Sequence, residues 1–496
     1  MTIAALLFPV YDRLSATAPI TADSANAVLQ GRSMVDGNLL LSGWTLSGAS
    51  FFMTDLPFYA ASTVVRGVSP MAAHDVGAVI YTLLVLTACF LARGRARGAQ
   101  ALGRMAVTLL LLIAPAPGPA VQLLLLGPFH AGTTLVMLLG LLALDAAGER
   151  WFGAVGLGVL LALAQLSDAL ALYVGVAPVV VVASLRLARG RRRSDAVLLA
   201  AAVLSIPASL LLMVLIGQLG GFATVPVHAS FAHIEDMPRN AALTVEGGLL
   251  LFSANFFGQP LVAIDTLSIL VHLAGFAFVL VACRWAVLAW RREEEPDRVT
   301  QILVVGIGLD VAAHLLSNQA IDLMTSRYLI PFLAFGAALA GRVGADRLWT
   351  GRLRFAGAVI GVAYLAFLGL SLRTPPAPAP EAQLAAFLER HHLTYGVAAY
   401  WQSSTVTVQS GGRVRVRAVQ SGSPELSAYL WEAEGFWYDP RRSGNDARFV
   451  LRDTSDSRSV DRGTAEAAFG PPTSVYRVGP YEVLVWDRNL LDELVQ

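Results

Sequence analysis

The segment from residue 11 to residue 75 carries the clearest potential for chemistry in this sequence. Two carboxylates, Asp23 and Asp55, lie there among glycines and aromatic residues that include Trp44 and Tyr59. Aromatic faces with nearby carboxylates suit the binding of a sugar ring. Tryptophan and tyrosine also gather at membrane interfaces without any ligand. These residue types leave a sugar site and an amphipathic interfacial segment as two open interpretations.

Ionisable residues also lie inside or beside long apolar runs farther along the chain. An ionisable side chain at membrane depth is costly, so each one retained there is a candidate for function. These candidates are His130, Asp168, Asp310, His314 and Arg327.

Each of these candidates also has a purely structural explanation. His130 and His314 are equally explained by hydrogen bonds between packed helices. Asp168 lies between two apolar runs and suits the cap of the following helix. Asp310 and His314 are four residues apart on one helical face, so they can satisfy each other.

Arg327 lies in the segment Ser326-Arg327-Tyr328, beside an apolar run. A long arginine side chain at the end of a helix can extend to the lipid head groups without any specific partner. Its fork of donors also matches the oxygens of a lipid phosphate. Both interpretations stay open for Arg327, and the segment favours phosphate.

The composition is that of a membrane protein. Of the 496 residues, 55% are apolar and 14% are charged, which is far from the balance of a soluble protein. The net charge of +1 gives no basic footprint for nucleic acid, so the predicted surroundings are membrane lipids and not nucleic acid. The histidines and aspartates lack the compact spacing of a metal-binding helix, so neither a metal nor another cofactor is predicted.

Apolar runs predict about eleven transmembrane helices in residues 1–374. The positive-inside rule places the arginine clusters of residues 93–104 and 189–193 in the cytoplasm. The amino terminus is then cytoplasmic, and residues 11–75 form the first extracytoplasmic loop of a multi-pass protein of the cell membrane. The apolar run of residues 249–264 contains polar residues and a proline, so it is predicted to re-enter the membrane and not to cross it.

The carboxyl-terminal part has the pattern of a water-soluble module. Residues 375–380 are rich in proline and predict a stiff linker. Residues 381–496 contain no sustained spanning run, and the alternating segments 413–419 and 481–486 predict strands. The predicted fold class is a polytopic α-helical membrane protein of about eleven transmembrane helices with a carboxyl-terminal α+β extracytoplasmic domain.

This topology brings several candidate residues to one side of the membrane. His130, Asp168 and Arg327 map near the outer ends of their helices, beneath the first extracytoplasmic loop, whereas Asp310 lies deeper. The sequence therefore predicts one outward-facing site that is built from several helices and this loop.

In these features the chain resembles the GT-C glycosyltransferases, which take sugars from polyprenyl-phosphate carriers at the outer leaflet. The resemblance rests on a short first apolar helix, an outer carboxyl-terminal domain and a long first outer loop. That loop has acidic residues in Ala22-Asp23-Ser24-Ala25 and in Thr54-Asp55-Leu56-Pro57-Phe58-Tyr59, and a later segment, Ser326-Arg327-Tyr328-Leu-Ile-Pro331, resembles a late helix of some members. Asp23 is followed by serine where the family usually has a second acidic residue, which argues against a paired-carboxylate or metal-binding role there.

The resemblance implies a hexosyl- or pentosyltransferase that uses a polyprenyl-phosphate-linked sugar and a glycan, lipid or protein acceptor. An acceptor hydroxyl would attack the anomeric carbon, and polyprenyl phosphate would leave with inversion. Asp23 is the first choice for the carboxylate that takes the acceptor's proton, and Asp55 is the second. Arg327, with His130, would stabilise the charge on the leaving phosphate. The other candidate site residues are Asp168, Asp310, His314, Trp44 and Tyr59.

Two other classes of function fit parts of the sequence. In a transporter or flippase of a lipid-linked or small polar substrate, Asp310 and His314 would form a proton relay; the absence of visible repeats counts against this class. In a non-catalytic membrane protein, the outer domain would bind carbohydrate or a protein partner through Trp401, Trp431, Trp437 and Tyr438.

Overall fold

The computed structural model describes residues 2–190, 193–292, 297–348, 353–422 and 426–495. Its amino-terminal part is a bundle of helices, joined by π-helical turns at Leu172–Val176 and Ala340–Gly344 and by a 3₁₀ helix at Leu323–Leu329. The helices of the bundle are α1 (Thr2–Ser15), α2 (Ala22–Val35), α3 (Leu56–Arg66), α4 (Pro70–Arg93), α5 (Gly98–Leu112), α6 (Pro119–Leu125), α7 (Ala131–Ala147), α8 (Trp151–Ser167), α9 (Ala177–Ala188), α10 (Arg193–Gln218), α11 (Met237–Leu251), α12 (Ile264–Arg291), α13 (Arg298–Leu316), α14 (Ile330–Leu339), α15 (Ala345–Leu348) and α16 (Leu353–Ser371). Arg191 and Arg192, which belong to the predicted cytoplasmic markers, lie outside the described residues.

The bundle contains helices that suit a lipid bilayer. Among the described residues, five stretches are long and apolar enough to cross a membrane, namely α4, α10, α12, α13 and the continuous stretch Leu323–Leu348. Apolar helices of 10–17 residues accompany them at Gly98–Leu112, Ala131–Ala147, Trp151–Ser167, Leu172–Ala188 and Phe355–Ser371. The chain is therefore a helical membrane protein, and the number of about eleven spans stays a prediction.

Proline determines where one predicted span breaks. The apolar run that begins near Met105 is helical only to Leu112, and a separate short helix starts at Pro119. Proline lacks a backbone N–H and its ring clashes with the preceding turn, so Pro115 and Pro117 cannot continue a helix. Helix α6 packs against α1, α4 and α11.

The predicted first loop begins within α1 and ends within α4. Helix α1 continues to Ser15, and α4 already begins at Pro70. The segment between them therefore runs from residue 16 to residue 69 and contains two helices, α2 and α3.

A buried ion-pair group lies at one end of the bundle. The Arg342 guanidinium contacts Asp145 at 2.8 Å and Asp297 at 3.0 Å and donates to the carbonyl of Leu91 at 2.5 Å. Asp145 lies in the last turn of α7, whereas His130 precedes the first turn of the same helix, about 22 Å away along its axis. This ion-pair group therefore connects the helices at the end of the bundle that is remote from His130.

The carboxyl-terminal part is an α+β domain, as the sequence predicted. Its helices are α17 (Pro380–Arg390), α18 (Tyr400–Gln409) and α19 (Arg462–Phe469). The strands of the chain are β1 (Trp44–Leu46), β2 (Ala223–Thr224), β3 (Tyr395–Ala398), β4 (Arg415–Ser421), β5 (Leu426–Ala428), β6 (Ala433–Glu434), β7 (Phe449–Asp453), β8 (Ser474–Val478) and β9 (Tyr481–Val485). The six-stranded sheet has the order β5-β4-β3-β7-β9-β8, and the two predicted strands are observed as β4 and β9. Helix α17 begins at Pro380, the last residue of the predicted linker.

A second, smaller sheet joins the carboxyl-terminal domain to the first loop. Its central strand is β1 of the loop, which pairs in parallel with β2 and antiparallel with β6. In this register Thr45 lies opposite Ala223 on one side and Ala433 on the other. Helix α18 also packs against α2. The carboxyl-terminal domain therefore holds the first loop in place.

Candidate functional site

Asp55 follows the turn that leads into α3, and its carboxyl group is buried in the bundle. The Thr54 hydroxyl donates to Asp55 Oδ2 at 2.7 Å, and the residue is 1% exposed. The carboxyl group lies against Gly132 in the first turn of α7, where an added Cβ would be 2.3 Å from Oδ2. Burial raises the pKa of Asp55 to about 7, the hydrogen bond from Thr54 lowers it, and the negative charge of Asp168 raises it. Asp55 can therefore change protonation near neutral pH.

His130 and Asp168 form a buried pair beside Asp55. His130 precedes α7 with a φ of 59°, a left-handed conformation that is uncommon for residues other than glycine. Its Nδ1 lies 2.6 Å from Asp168 Oδ2, while Asp168 Oδ1 accepts the backbone N–H of Leu170 at 2.9 Å. Asp168 thus both orients the imidazole and caps the turn that follows it. This geometry leaves His130 Nε2 as the ring nitrogen that can face a ligand.

Arg327 lies in the 3₁₀ helix next to the His130 segment. Its guanidinium carbon is 5.7 Å from the ring centre of Phe129 and 5.4 Å from that of Tyr328. The Tyr328 ring in turn packs on the His130 ring, with 4.7 Å between their centres. Arg327 is half-buried, and its positive charge acts on Asp23. A cation therefore lies between the imidazole and the first candidate carboxylate.

Asp23 lies in the first turn of α2, which begins with a capping box between Thr21 and Ser24. Its Oδ1 accepts a hydrogen bond of 2.5 Å from the hydroxyl of Tyr400, the first residue of α18. Burial raises the pKa of Asp23, whereas the Tyr400 hydrogen bond and the charge of Arg327 lower it. The first candidate carboxylate is therefore held by a residue of the carboxyl-terminal domain.

Sequence reasoning missed three residues of this site. The Tyr400 hydroxyl is also 3.3 Å from Glu432 Oε2 and accepts a hydrogen bond of 3.2 Å from Asn26 Nδ2. Glu432 is buried, and burial, together with the negative charge of Asp23, raises its pKa to about 8. The residue that follows Asp23 in the chain is a serine and not a second acidic residue. The second carboxylate near Asp23 is Glu432, which lies far away in the sequence. The one local sequence feature that pointed to Glu432 was its position among aromatic residues of the carboxyl-terminal domain.

Tyr59 connects the two groups of carboxylates. Its hydroxyl donates to the carbonyl of Gly127 at 2.8 Å. Burial raises the pKa of Tyr59, and the negative charges of Asp55, Glu432 and Asp23 raise it further. All three carboxylates therefore lie within electrostatic reach of one phenol.

The side chain of Trp44 is buried and does not face an open surface. The residue is 2% exposed, its ring centre lies 4.9 Å from that of Trp437, and its Nε1–H donates to the Ser33 hydroxyl at 3.2 Å. The Trp437 ring stacks on the Arg417 guanidinium at 3.7 Å. Trp44 thus forms part of the contact between the first loop and the carboxyl-terminal domain.

Asp310 and His314 do not bond to each other as their spacing suggested. Asp310 Oδ2 accepts the backbone N–H of Phe332 at 2.8 Å. His314 Nδ1 is 2.8 Å from the hydroxyl of Thr244. Helices α14 and α11 cover the helical face that the two residues share. Phe332 of α14 and Thr244 of α11 are therefore their hydrogen-bond partners.

The assembled side chains suit acid–base and phosphate chemistry. A carboxylate can accept a proton, and a guanidinium next to an imidazole can bind the oxygens of a phosphate. Among the residues that the structure describes, no group of three or more histidine, cysteine, aspartate or glutamate side chains is arranged to hold a metal ion.

Comparisons with known proteins give a similarity of fold. No protein-family model matches the sequence, and no curated protein matches it. The chain is similar in structure to the oligosaccharyltransferase of Archaeoglobus fulgidus in its apo form, with a TM-score of 0.52, 12% identity, and coverage of 92% of this chain and 69% of that one. The oligosaccharyltransferase AglB of the same organism, in complex with an inhibitory peptide and a dolichol-phosphate, matches with a TM-score of 0.51, 12% identity and the same coverage of both chains. The chain thus has a fold similar to that of an archaeal oligosaccharyltransferase.

Proposed function

We propose that this protein transfers a sugar from a polyprenyl-phosphate donor to an acceptor on the outer side of the membrane. The observation that carries the proposal is the meeting of Asp23, Asp55, the His130–Asp168 pair and Arg327, which come from five separate segments of the chain. They meet in a fold similar to that of an oligosaccharyltransferase, one structure of which holds a dolichol-phosphate.

The chemistry is a single displacement at the anomeric carbon. The acceptor hydroxyl oxygen forms a bond to that carbon, the bond from the carbon to the phosphate oxygen breaks, and the configuration inverts. The bonding electrons leave with the polyprenyl phosphate, and the acceptor's proton passes to a carboxylate of the enzyme. The donor is a hexose or a pentose, and the acceptor is a glycan, a lipid or a protein.

Asp23 is the first choice for the proton acceptor. A general base must lie within hydrogen-bond reach of the attacking hydroxyl, and Asp23 is half-buried, whereas Asp55 is enclosed by Thr54 and Gly132. Asp55 is the second choice, because its pKa of about 7 matches the value at which a general base works well near neutral pH.

Arg327 and His130 are proposed to bind the phosphate of the donor. The guanidinium packs on aromatic rings, and among the described residues it forms no ion pair with a carboxylate, so its donors can turn to a phosphate. Asp168 fixes one ring nitrogen of His130, which directs the other toward a ligand. Both groups would stabilise the charge that develops on the leaving phosphate.

The outward orientation is part of the proposal. The Arg342 ion-pair group with Asp145 and Asp297 lies at the end of the bundle remote from His130, as a cytoplasmic end rich in arginine would. The site, the first loop and the carboxyl-terminal domain are then extracytoplasmic, the amino terminus is cytoplasmic, and the protein belongs to the cell membrane and acts on the cell envelope.

The test is the transfer of radiolabelled sugar by the purified full-length protein in detergent. Wild type is offered polyprenyl-phosphate hexoses and pentoses with glycan, lipid and peptide acceptors, next to Asp23→Asn and Asp55→Asn. Loss of the base is expected to lower the rate about 10²- to 10⁴-fold. Asp36→Asn is the matched control, because Asp36 is an exposed residue of the same loop whose partner is Arg32.

Two results would contradict the proposal. A folded wild-type protein that turns over none of these donors would remove the enzymatic interpretation. A protein that moves lipid-linked sugar across vesicles and loses this activity selectively in Asp310→Asn would instead support a transporter.

A further inference from the structure

The hydrogen bonds around Tyr400 fix the position of one proton. A tyrosine hydroxyl has one proton to donate and two lone pairs to accept with. The contact of 2.5 Å with Asp23 is the shortest that the hydroxyl makes, so the proton of Tyr400 belongs there. The hydroxyl accepts from Asn26 Nδ2 at 3.2 Å, and its longer contact of 3.3 Å with Glu432 Oε2 receives no proton from Tyr400 while Asp23 holds it.

The orientation of the Asn26 amide prevents Asn26 from accepting the proton of Tyr400. Its side-chain oxygen accepts a hydrogen bond from the Ser404 hydroxyl, so its amide nitrogen is the atom that faces Tyr400. Because an ionised carboxylate has no proton to donate, the contact of Glu432 with Tyr400 is a hydrogen bond only when Glu432 is protonated.

We infer that Glu432 is a positioning acid for Asp23: it stays protonated and donates to Tyr400, and Tyr400 donates to Asp23, so that the paired acids hold one proton and Asp23 is the ionised partner. This inference rests on the proposed function in one respect, the identity of Asp23 as the base. It assigns Glu432 no contact with the substrate.

Burial and the negative charge of Asp23 raise the pKa of Glu432 and outweigh the hydrogen bonds with Ser47, Tyr400 and Asn26, which lower it. Glu432 is buried, and the ionisable groups that face it are Asp23 on α2, Tyr400 on α18, Tyr429 after β5 and Tyr59 on α3. Burial raises the pKa of all three tyrosines, so they stay neutral. The carboxyl group of Glu432 thus faces one negative charge, and a second negative charge in the same place is costly.

Arg327 explains why the proton lies on Glu432 and not on Asp23. Burial raises the pKa of Asp23, but the Tyr400 hydrogen bond and the positive charge of Arg327 both lower it, whereas burial and the negative charge of Asp23 raise the pKa of Glu432 to about 8. Two linked carboxyl groups in unequal surroundings divide into one acid and one base, as in other enzymes that use paired carboxylates.

Ionisation of Glu432 would disturb the base in two ways. It would compete with Asp23 for the single proton of Tyr400, and it would add a negative charge near the position proposed for the donor phosphate. Transfer is therefore expected to decline in alkaline solution, and kcat/KM at pH 9 should be about tenfold below its plateau, since about one tenth of Glu432 then keeps its proton.

The first test is the pH profile of kcat/KM for Glu432→Gln. The glutamine amide can donate to Tyr400 and stays neutral at every pH, so the alkaline decline should disappear while the acid side of the profile is kept. Glu434→Gln, a change of the same chemistry two residues away in β6, should keep the wild-type profile. An alkaline decline that persists unchanged in Glu432→Gln overturns the inference.

The second test needs no activity. Infrared spectra of wild-type protein labelled with ¹³C-carboxyl glutamate should show a protonated carboxylic-acid band at neutral pH that shifts with the label, fades as the pH rises through about 8, and is absent from Glu432→Gln. If this band is missing, Glu432 is ionised and the inference is wrong. If the band is present but wild type transfers no sugar, the proposed function fails and the proton assignment stands.

Discussion

The carboxyl group of Asp55 lies so close to Gly132 that a methyl group there would be 2.3 Å from Oδ2. Gly132→Ala must therefore displace either Asp55 or the start of α7. A displacement of this kind is expected to lower sugar transfer roughly a hundredfold and to destabilise the protein by about 1–3 kcal/mol. Initial transfer rates and thermal unfolding in detergent measure the two effects.

Gly156→Ala is the control for this substitution. Gly156 lies within α8, and a Cβ there meets nothing within 4 Å, so activity and stability should match those of wild type. Full activity in Gly132→Ala would show that the close contact has no bearing on the site.

Asp55→Asn is expected to flatten the pH dependence of stability. The pKa of Asp55 is about 7 in the folded protein, above the ordinary value of 3.8, so the folded state binds the proton more tightly. The resulting stability is fully present below the ordinary value and is lost as the pH rises through about 7, by up to about 1.4 kcal/mol per pH unit.

The measurement is thermal unfolding at several values between about pH 5 and pH 9. Wild type should lose the contribution of Asp55 up to about pH 7 and none of it beyond that pH. Asp55→Asn should lose less, because asparagine resembles the neutral acid and can still accept the hydrogen bond from Thr54. Asp36→Asn, at an exposed site, should follow wild type. Equal slopes in wild type and Asp55→Asn would show that Asp55 is already ionised when folded.

Trp44→Ala is expected to affect stability and not substrate binding. The Trp44 ring packs on Trp437 and is buried, so its removal should cost about 3–5 kcal/mol with little change in KM for the donor. Thermal unfolding and the KM of the protein that still folds distinguish the alternatives. An unchanged unfolding temperature with a raised KM would support Trp44 as part of a sugar site.

Arg342→Met is expected to weaken the far end of the bundle without altering the site. Removing the guanidinium leaves Asp145 without the partner it contacts, whereas Asp297 is half exposed and keeps its hydrogen bonds from Thr300, so the expected cost is about 1–3 kcal/mol. The unfolding temperature and the yield of folded protein should fall, while kcat/KM at low temperature is kept.

Arg189→Met, which removes an exposed arginine at the end of α9, should change neither stability nor kcat/KM. Equal stability of Arg342→Met and wild type would show that the network contributes little to the bundle. A selective loss of activity at unchanged stability would instead link this end of the bundle to the reaction.

The elements that could be predicted from the sequence are those with a long, repeated pattern of apolar and polar residues. Apolar runs marked the helices, and the alternation of residues 413–419 and 481–486 marked two strands of the carboxyl-terminal domain. The side chains of His130, Asp168 and Arg327, placed by sequence at the outer helix ends, are indeed neighbours in the structure.

The parts of the site that sequence reasoning missed come from contacts without a local pattern. Strands β1 and β6 are three and two residues long, too short for a periodic signal. Tyr400 and Asp23 are 377 residues apart, so no spacing rule connects them. The glycine at position 132 is explained only by the approach of Asp55, which belongs to another segment.

The hydrogen bond between Tyr400 and Asp23 also determines when this part of the site can form during protein synthesis. Chains are synthesised from the amino terminus, and early parts fold before late ones exist. The partner of Asp23 is therefore made nearly four hundred residues after Asp23 itself. In the proposed enzyme, a polypeptide that lacked the carboxyl-terminal domain would keep Arg327, His130 and Asp23 but would leave Asp23 without the hydrogen bond from Tyr400. The state of Asp23 thus depends on the last part of the chain to be synthesised.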